Sequence, residues 1–252
     1  MKNLKISWEL SSNLELQSKD EVLQFAAIDI ERNRLFFASS ANFIYTTQFH
    51  SSHNERAWTR SPLSAAVEPV DLDPGDFITS MDYLMEKEAL IVGTSNGLLL
   101  LYTIDDNATE IVGRVEGGVK FISLSPDGDL LCVITGFGQI LVMTHDWDLL
   151  YETALEDLPD DVDVRDPIFS SNYSFESSLS WRGDGKYFAT LSKVHDSFSL
   201  HKKLKVWERD SGSLHAVSES KVFMGTVLEW MPSGAKVAAV YDLEGRKEVS
   251  CQ

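Results

Sequence analysis

The chain has 252 residues and is 43% hydrophobic, enough to bury a core, and its 39 acidic against 22 basic residues leave a net charge of −17. That balance argues against direct nucleic-acid binding and against an anionic membrane surface, since both need clustered Lys and Arg. No apolar run approaches the roughly 18 residues of a membrane-spanning helix. The start, Met1-Lys-Asn-Leu-Lys-Ile-Ser-Trp8, lacks the apolar segment of a secretory signal. Cys132 and Cys251 are the only cysteines, which reads as a reducing, intracellular compartment, with Cys132 a buried and inert thiol.

In chain order, residues 3–16 alternate loosely and predict a strand. A first four-stranded unit is expected over 22–47, with Glu31-Arg-Asn-Arg34 at a turn and an outer strand near Ala65 to Val70 after a Pro-rich connection. A second occupies 77–112. There Met85-Glu-Lys-Glu88 stands where other units have a Gly turn, and Ser95-Asn96-Gly97 makes the next hairpin.

The third unit, 113–155, is the most regular. Val119 to Leu124 alternates, Ser125-Pro126-Asp127-Gly128 turns, and Leu130 to Thr135 is an apolar strand. Gly136-Phe137-Gly138 then closes a hairpin into Ile140 to Met143, and Leu149 to Ala154 is a half-polar outer strand. Four antiparallel strands in about 40 residues is the size of a propeller blade.

The unit recurs. Trp181-Arg-Gly-Asp-Gly185 and Trp230-Met-Pro-Ser-Gly234 repeat the turn of Leu124-Ser-Pro-Asp-Gly128, and each is followed by an apolar strand. Further units are expected over 177–219 and 225–252. Between them, residues 156–166 form an acidic run read as an exposed loop. Lys205-Val-Trp-Glu208 sits where WD-type repeats place their signature dipeptide, with Glu in place of Asp. The fold class is therefore all-β: the N-terminal part of a WD40-like β-propeller, about four and a half blades of an expected seven. An unclosed propeller would leave apolar faces open near Leu35, Phe36 and Phe37 and near Val237, Ala239 and Val240.

These residues, in order, resemble the N-terminal β-propeller of the largest subunit of the Elongator complex, the IKAP family. The resemblance rests on the Met-Lys-Asn-Leu-Lys start, Ser123-Leu-Ser-Pro-Asp-Gly128, Thr135-Gly136 and Val142-Met-Thr-His-Asp-Trp147. It is strongest at Leu179-Ser-Trp-Arg-Gly-Asp-Gly-Lys-Tyr-Phe-Ala189, Lys203-Leu-Lys-Val-Trp207 and Leu228-Glu-Trp-Met-Pro-Ser-Gly234. It implies a non-catalytic scaffold of two successive propellers and a dimerising helical region, in a complex that modifies the wobble uridine of certain tRNAs. The implied partners are the other Elongator subunits, including the catalytic radical-SAM/acetyltransferase subunit and the second WD40 subunit. The implied location is the cytoplasm, with the nucleus as a second site.

No catalytic, cofactor-binding or metal residue is expected. His50 and His53 lack companions at ligand spacing. Asp71-Leu-Asp-Pro-Gly-Asp76 lacks the trailing Glu of a calcium loop. Gly136-Phe-Gly138 opens a strand rather than a helix, so it is no dinucleotide fingerprint. Asn107 and Asn172 fit a glycosylation pattern that the expected compartment leaves unused. The inner strands offer Ser and Lys but no cluster of His or carboxylates, as a propeller enzyme would need. Pro126, Gly128, Trp181, Gly185, Trp207, Trp230 and Gly234 are read as structural repeat positions, with blade packing preferred over an aromatic cage for the three tryptophans. A generic peptide-binding WD40-like module outside Elongator is the alternative function.

Overall fold

The computed structural model describes residues 14–48, 58–63, 72–155, 177–193, 201–219, 221–231, 234, 236–243 and 246–251. The strand expected over 3–16, the histidines at 50 and 53 and the acidic run 156–166 lie outside these residues, wholly or, for the strand, in all but its last three positions.

Apolar residues at period two build antiparallel meanders. The first sheet is β1 (Leu23–Asp29), β2 (Arg34–Ser39), β3 (Phe43–Gln48) and β4 (Thr59–Pro62). The second is β5 (Ile78–Leu84), β6 (Ala89–Thr94), β7 (Leu98–Thr103) and β8 (Ala108–Arg114). The third is β9 (Val119–Leu124), β10 (Leu130–Thr135), β11 (Gln139–Thr144) and β12 (Leu149–Ala154). β13 (Ser177–Trp181), β14 (Tyr187–Lys193), β15 (His201–Glu208) and the short β16 (Leu214–Val217) form the fourth unit, and β17 (Lys221–Trp230), β18 (Val237–Leu243) and β19 (Arg246–Cys251) the fifth. The first strands of successive units pack side by side, as the inner strands of a propeller do.

The outer strand of the first unit is Thr59–Pro62, pairing Phe43↔Pro62 through Thr46↔Thr59, and not a strand near Ala65 to Val70, a stretch outside the described residues. Leu63 anchors it: its N–H donates to the Asn42 carbonyl at 3.0 Å and the side chain is buried. Pro62 is acceptable there because an edge strand can spare a donor. The last two units are also less separate than the sequence suggests. His201↔Val222 and Lys202↔Lys221 join β15 to β17, so β13 to β19 form one seven-stranded sheet, and β17 begins at Lys221 rather than near Gly225.

The core lies between blades, not within them. All six residues of β6 and of β10 are buried. Such a strand is covered on both faces, so its sequence is an unbroken apolar run although its side chains still alternate. In β10, Leu130, Cys132 and Ile134 face the fourth blade, where they meet Leu179, Trp181, Phe188 and Trp207. Leu131 and Val133 face the second blade and meet Ile91, Leu99, Val119 and Ile122. In β6, Leu90 and Val92 pack with Phe36 and Ile44 of the first blade. Each such side chain contributes roughly 1.5–3 kcal/mol on burial, so a blade is held mainly by its neighbours.

Of the residues expected at open faces, Phe36, Val237 and Ala239 are covered, whereas Leu35 and Phe37, on the other side of β2, are only half-buried. Phe36 is fully buried under Tyr83, whose ring stacks on it at 5.8 Å, and Val237 and Ala239 are buried against Ala189, Leu191 and Leu228. Both seams are made inside the chain, Phe36 with the second blade and Val237 with the fourth.

Trp181 is 8% exposed and fills the seam between the third and fourth blades, 5.0 Å from the Phe188 ring, while its indole N–H has no hydrogen-bond partner among the described residues. Trp181→Ala should therefore lower stability by about 3–5 kcal/mol. Trp181→Phe, which keeps ring volume and removes the unpaired donor, should cost clearly less. Denaturant titration of both variants checks this, and equal losses would mean that the seam does not depend on the ring.

Candidate interaction surface

Each blade sends two kinds of loop to its two ends. The turns after the first and third strands fall on one face, and the hairpins after the second strand fall on the other with the inter-blade connections. The predicted repeat residues divide along these lines. Pro126, Gly128, Gly185 and Gly234 occupy first turns, with φ of 79°, 68° and 68° at the three glycines. Asn33 and Glu88 adopt left-handed φ at the corresponding turns of the first two blades, which explains how turns without Gly fit the same repeat.

Trp181 and Trp230 close the first strands of their blades, whereas Trp207 lies on a third strand and is not equivalent to them. Trp207 donates its indole N–H to Thr190 Oγ1 at 2.8 Å and stacks with Phe188 at 6.4 Å. Trp230 packs in a different seam, so the three tryptophans form no common cage. Among the described residues no group of three His, Cys, Asp or Glu could hold a metal. Cys132 is fully buried, and desolvation pushes its thiol far up. Asn107 accepts a hydrogen bond from the Tyr102 hydroxyl at 2.7 Å.

The turn face carries charge pairs that join the first four blades to one another. From the first blade, Arg32 reaches Glu88 at 2.5 Å and Arg34 reaches Asp105 at 3.1 Å. From the second, Lys87 reaches Asp146 at 2.6 Å. From the third the signs reverse: Asp127 pairs with Arg209 of the fourth blade, and Asp129 lies 3.7 Å from the same guanidinium. Tyr151 adds a bond from its hydroxyl to the Arg209 carbonyl at 2.5 Å. In the fourth blade Arg182 turns back on Asp184 at 2.7 Å, and this bond first of all holds the Asp184 carboxyl down at about 2. Burial alone would raise Asp127, but hydrogen bonds from Arg209, Ser125 and the Asp129 N–H hold it low.

Polar side chains of the inner strands stitch the same seams from the axis side. Ser80 Oγ accepts from Ile122 N at 2.9 Å, Asp82 Oδ2 from Leu124 N at 3.1 Å, and Ser180 Oγ from Trp230 N at 3.0 Å. Asp82 was not singled out in the sequence. A carboxylate inside an alternating strand is the one signal that could have found it.

The hairpin face is built differently. The N–H of the residue ending each outer strand donates to a hairpin carbonyl: Leu63 to Asn42, Val115 to Gly97 and Leu155 to Gly138. Asp76 is buried and holds the second hairpin through Ser95 Oγ at 2.7 Å and Asn96 N at 2.9 Å, so the stretch compared with a calcium loop ends in a hairpin brace. Between the second and third blades a cleft of about 570 Å³ opens on this face, lined by Asn96, Arg114, Val115, Glu116, Gly117 and Phe137. Gly117, at φ 79°, lies directly under the Phe137 ring, where a Cβ would collide. The sequence had marked Phe137 only as the middle of a hairpin.

Meanders packed side by side around inner strands define a β-propeller, and their turns and seams belong to its WD40-like class. Solved structures of unrelated names are similar in fold. The Myceliophteria thermophila Cps50 (Swd1) β-propeller domain matches with a TM-score of 0.60 and 17% identity over 86% of this chain and 65% of that one. Kuenenia stuttgartiensis hydrazine synthase matches with a TM-score of 0.64 and 11% identity over 92% and 59%. These show the fold alone.

Sequence comparison is more specific. The family described as the ELP1 first N-terminal beta-propeller matches residues 1–168 and 160–251, and this chain belongs to it. Elongator complex protein 1 of Arabidopsis thaliana is 55% identical over 241 residues, covering 96% of this chain. The proteins of that name from Rattus norvegicus and Schizosaccharomyces pombe are 28% and 27% identical over 70% and 67% of it. The chain spans 18% of the Arabidopsis protein and 15% and 16% of the other two.

Asp82 gives a pH test of the inner seam. Burial raises its carboxyl pKa, outweighing the bonds from Leu124 N and Tyr83 N. The ionised form is thus disfavoured in the fold, and the parent gains stability as pH falls through the folded pKa towards the unfolded value of about 3.9. Asp82→Asn, whose single amide oxygen keeps only one of the bonds that Tyr83 N and Leu124 N give to separate carboxylate oxygens, no longer titrates, so the melting temperature of the parent relative to this variant should rise as pH falls through that window. Thermal melts across pH test this; a parent that loses ground to the variant on acidification would reverse the sign.

Proposed function

We propose that this chain is a non-catalytic scaffold portion of an Elongator subunit, supporting wobble-uridine tRNA modification through protein–protein contacts. Its family membership along nearly its whole length carries the reading. The build of the blades supports it: side chains of the inner strands at Ser80, Asp82 and Ser180 are committed to neighbouring backbone rather than to a shared site. The proposed partners are the other Elongator subunits, among them the catalytic radical-SAM/acetyltransferase subunit and the second WD40 subunit, in the cytoplasm and the nucleus. Transfer-RNA contact falls to other parts of the assembly, because a net charge of −17 opposes the phosphate backbone.

Affinity purification of the tagged chain from cells should recover those two subunits. Recovery of neither would reject the scaffold reading. Purified chain should show no micromolar, salt-sensitive binding of tRNA in a filter assay; such binding would reject the division of labour.

A further inference from the structure

We infer that the cleft between the second and third blades is a docking site for an acidic peptide segment of a partner protein, with Arg114 as the cation that receives its carboxylate. This rests on the scaffold reading and names the chemistry of one of its contacts.

The argument starts from how the chain uses its arginines. Arg32, Arg34, Arg182 and Arg209 each pair with carboxylates, and Arg60 lies over the Phe43 ring at 4.7 Å. In a chain of net charge −17, a cation finds carboxylates readily. Arg114 is exposed at the end of β8 and, among the described residues, has no ion pair, ring contact or side-chain hydrogen bond. It stands instead on the wall of the cleft. Lys120, also exposed and without an ion pair among the described residues, lies beside it on β9; its Cε is 3.3 Å from where a Cβ on Gly136 would stand. Arg114 therefore stands on the cleft wall without a carboxylate partner among the described residues, in an otherwise acidic protein, with Lys120 near the Gly136 turn.

The floor of the cleft suits a peptide. Phe137 is half-buried, resting flat on the backbone of Gly117, and offers a ring to an aliphatic or aromatic side chain. A side chain at position 117 would lift that ring, and one at Gly97 or Gly118 would overlap the Val115 or Ser95 carbonyl, so the cleft keeps its shape only with these residues small. Asn96, held in place through its backbone by Asp76, presents an exposed amide that can bond a peptide group. The site is thus pre-formed: an apolar floor, an amide, and a cation on the wall. Glu116 on the same wall, and the acidic surroundings, disfavour a polyanion such as RNA over a short segment with one or two carboxylates.

The test uses the purified chain and a fluorescein-labelled peptide in which Asp and Glu alternate with Leu and Phe, read by fluorescence anisotropy. A peptide with Lys in place of the acidic residues and a short polyuridine serve as the other probes. The acidic peptide should bind, more weakly as salt rises, and Arg114→Glu should weaken it about tenfold or more. Lys120→Glu should weaken it less, and Phe137→Leu should weaken binding without steepening its salt dependence. Arg114 and Lys120 are exposed, so melts of both variants should match the parent. Absence of acidic-peptide binding, equal binding by Arg114→Glu, or preference for the Lys peptide would overturn the inference; binding of polyuridine that Arg114→Glu abolishes would replace it with a nucleic-acid site. The scaffold reading is judged separately. If the parent recovers Elongator subunits and Arg114→Glu recovers them equally, along with every other partner, the cleft proposal fails while the scaffold reading stands. If the parent recovers none, the scaffold reading fails, and the anisotropy result alone decides the cleft.

Discussion

The structure depends on one contact, the seam between adjacent blades. A four-stranded meander alone buries too little to stand in water, and its second strand has apolar side chains on both faces. Leu130, Cys132 and Ile134 need the fourth blade while Leu131 and Val133 need the second, so neither set is satisfied until both neighbours are in place. The polar parts of the seam follow from the same geometry. Burying an inner strand's edge exposes backbone N–H groups that require acceptors, and Ser80, Asp82 and Ser180 supply them across the gap.

The two faces answer this arrangement in opposite ways. On the turn face, charges from neighbouring blades are spent on each other: Arg34 with Asp105, Lys87 with Asp146, Arg209 with Asp127. These pairs are partly exposed, so their individual worth is small, but they fix the order in which blades meet. On the hairpin face, backbone-to-backbone bonds do most of the closing, with the buried Asp76 carboxylate bracing the second hairpin. Arg114 and Phe137 are available to a partner because Val115 and Gly97 already hold the loop through their main chains.

The fold was largely readable from the chain. The turns at Gly128, Gly185 and Gly234 and the unbroken apolar strands after them identify the blades, because a tight turn needs φ > 0 and a strand covered on both faces needs apolar residues throughout. Where composition lacked glycine, at Asn33 and Glu88, the left-handed residue was hidden in an ordinary charged turn. The first blade's outer strand was misplaced because Thr59–Pro62 is short and polar, while the apolar stretch that drew attention came later.

The amino-acid sequence by itself determined the blade repeat, the packing role of Trp181 and the family, since local periodicity, turn chemistry and residue order are written along the chain. Only the tertiary structure decided which residues meet: that β15 hydrogen-bonds β17, that Trp207 is bonded to Thr190, and that Arg209 closes on Asp127 while Arg114 has no ion pair among the described residues. The physical reason is that these contacts join residues far apart in sequence and depend on the stagger of one sheet against the next. Nothing in the local pattern of an arginine at a strand end tells whether a carboxylate from another blade will stand in front of it.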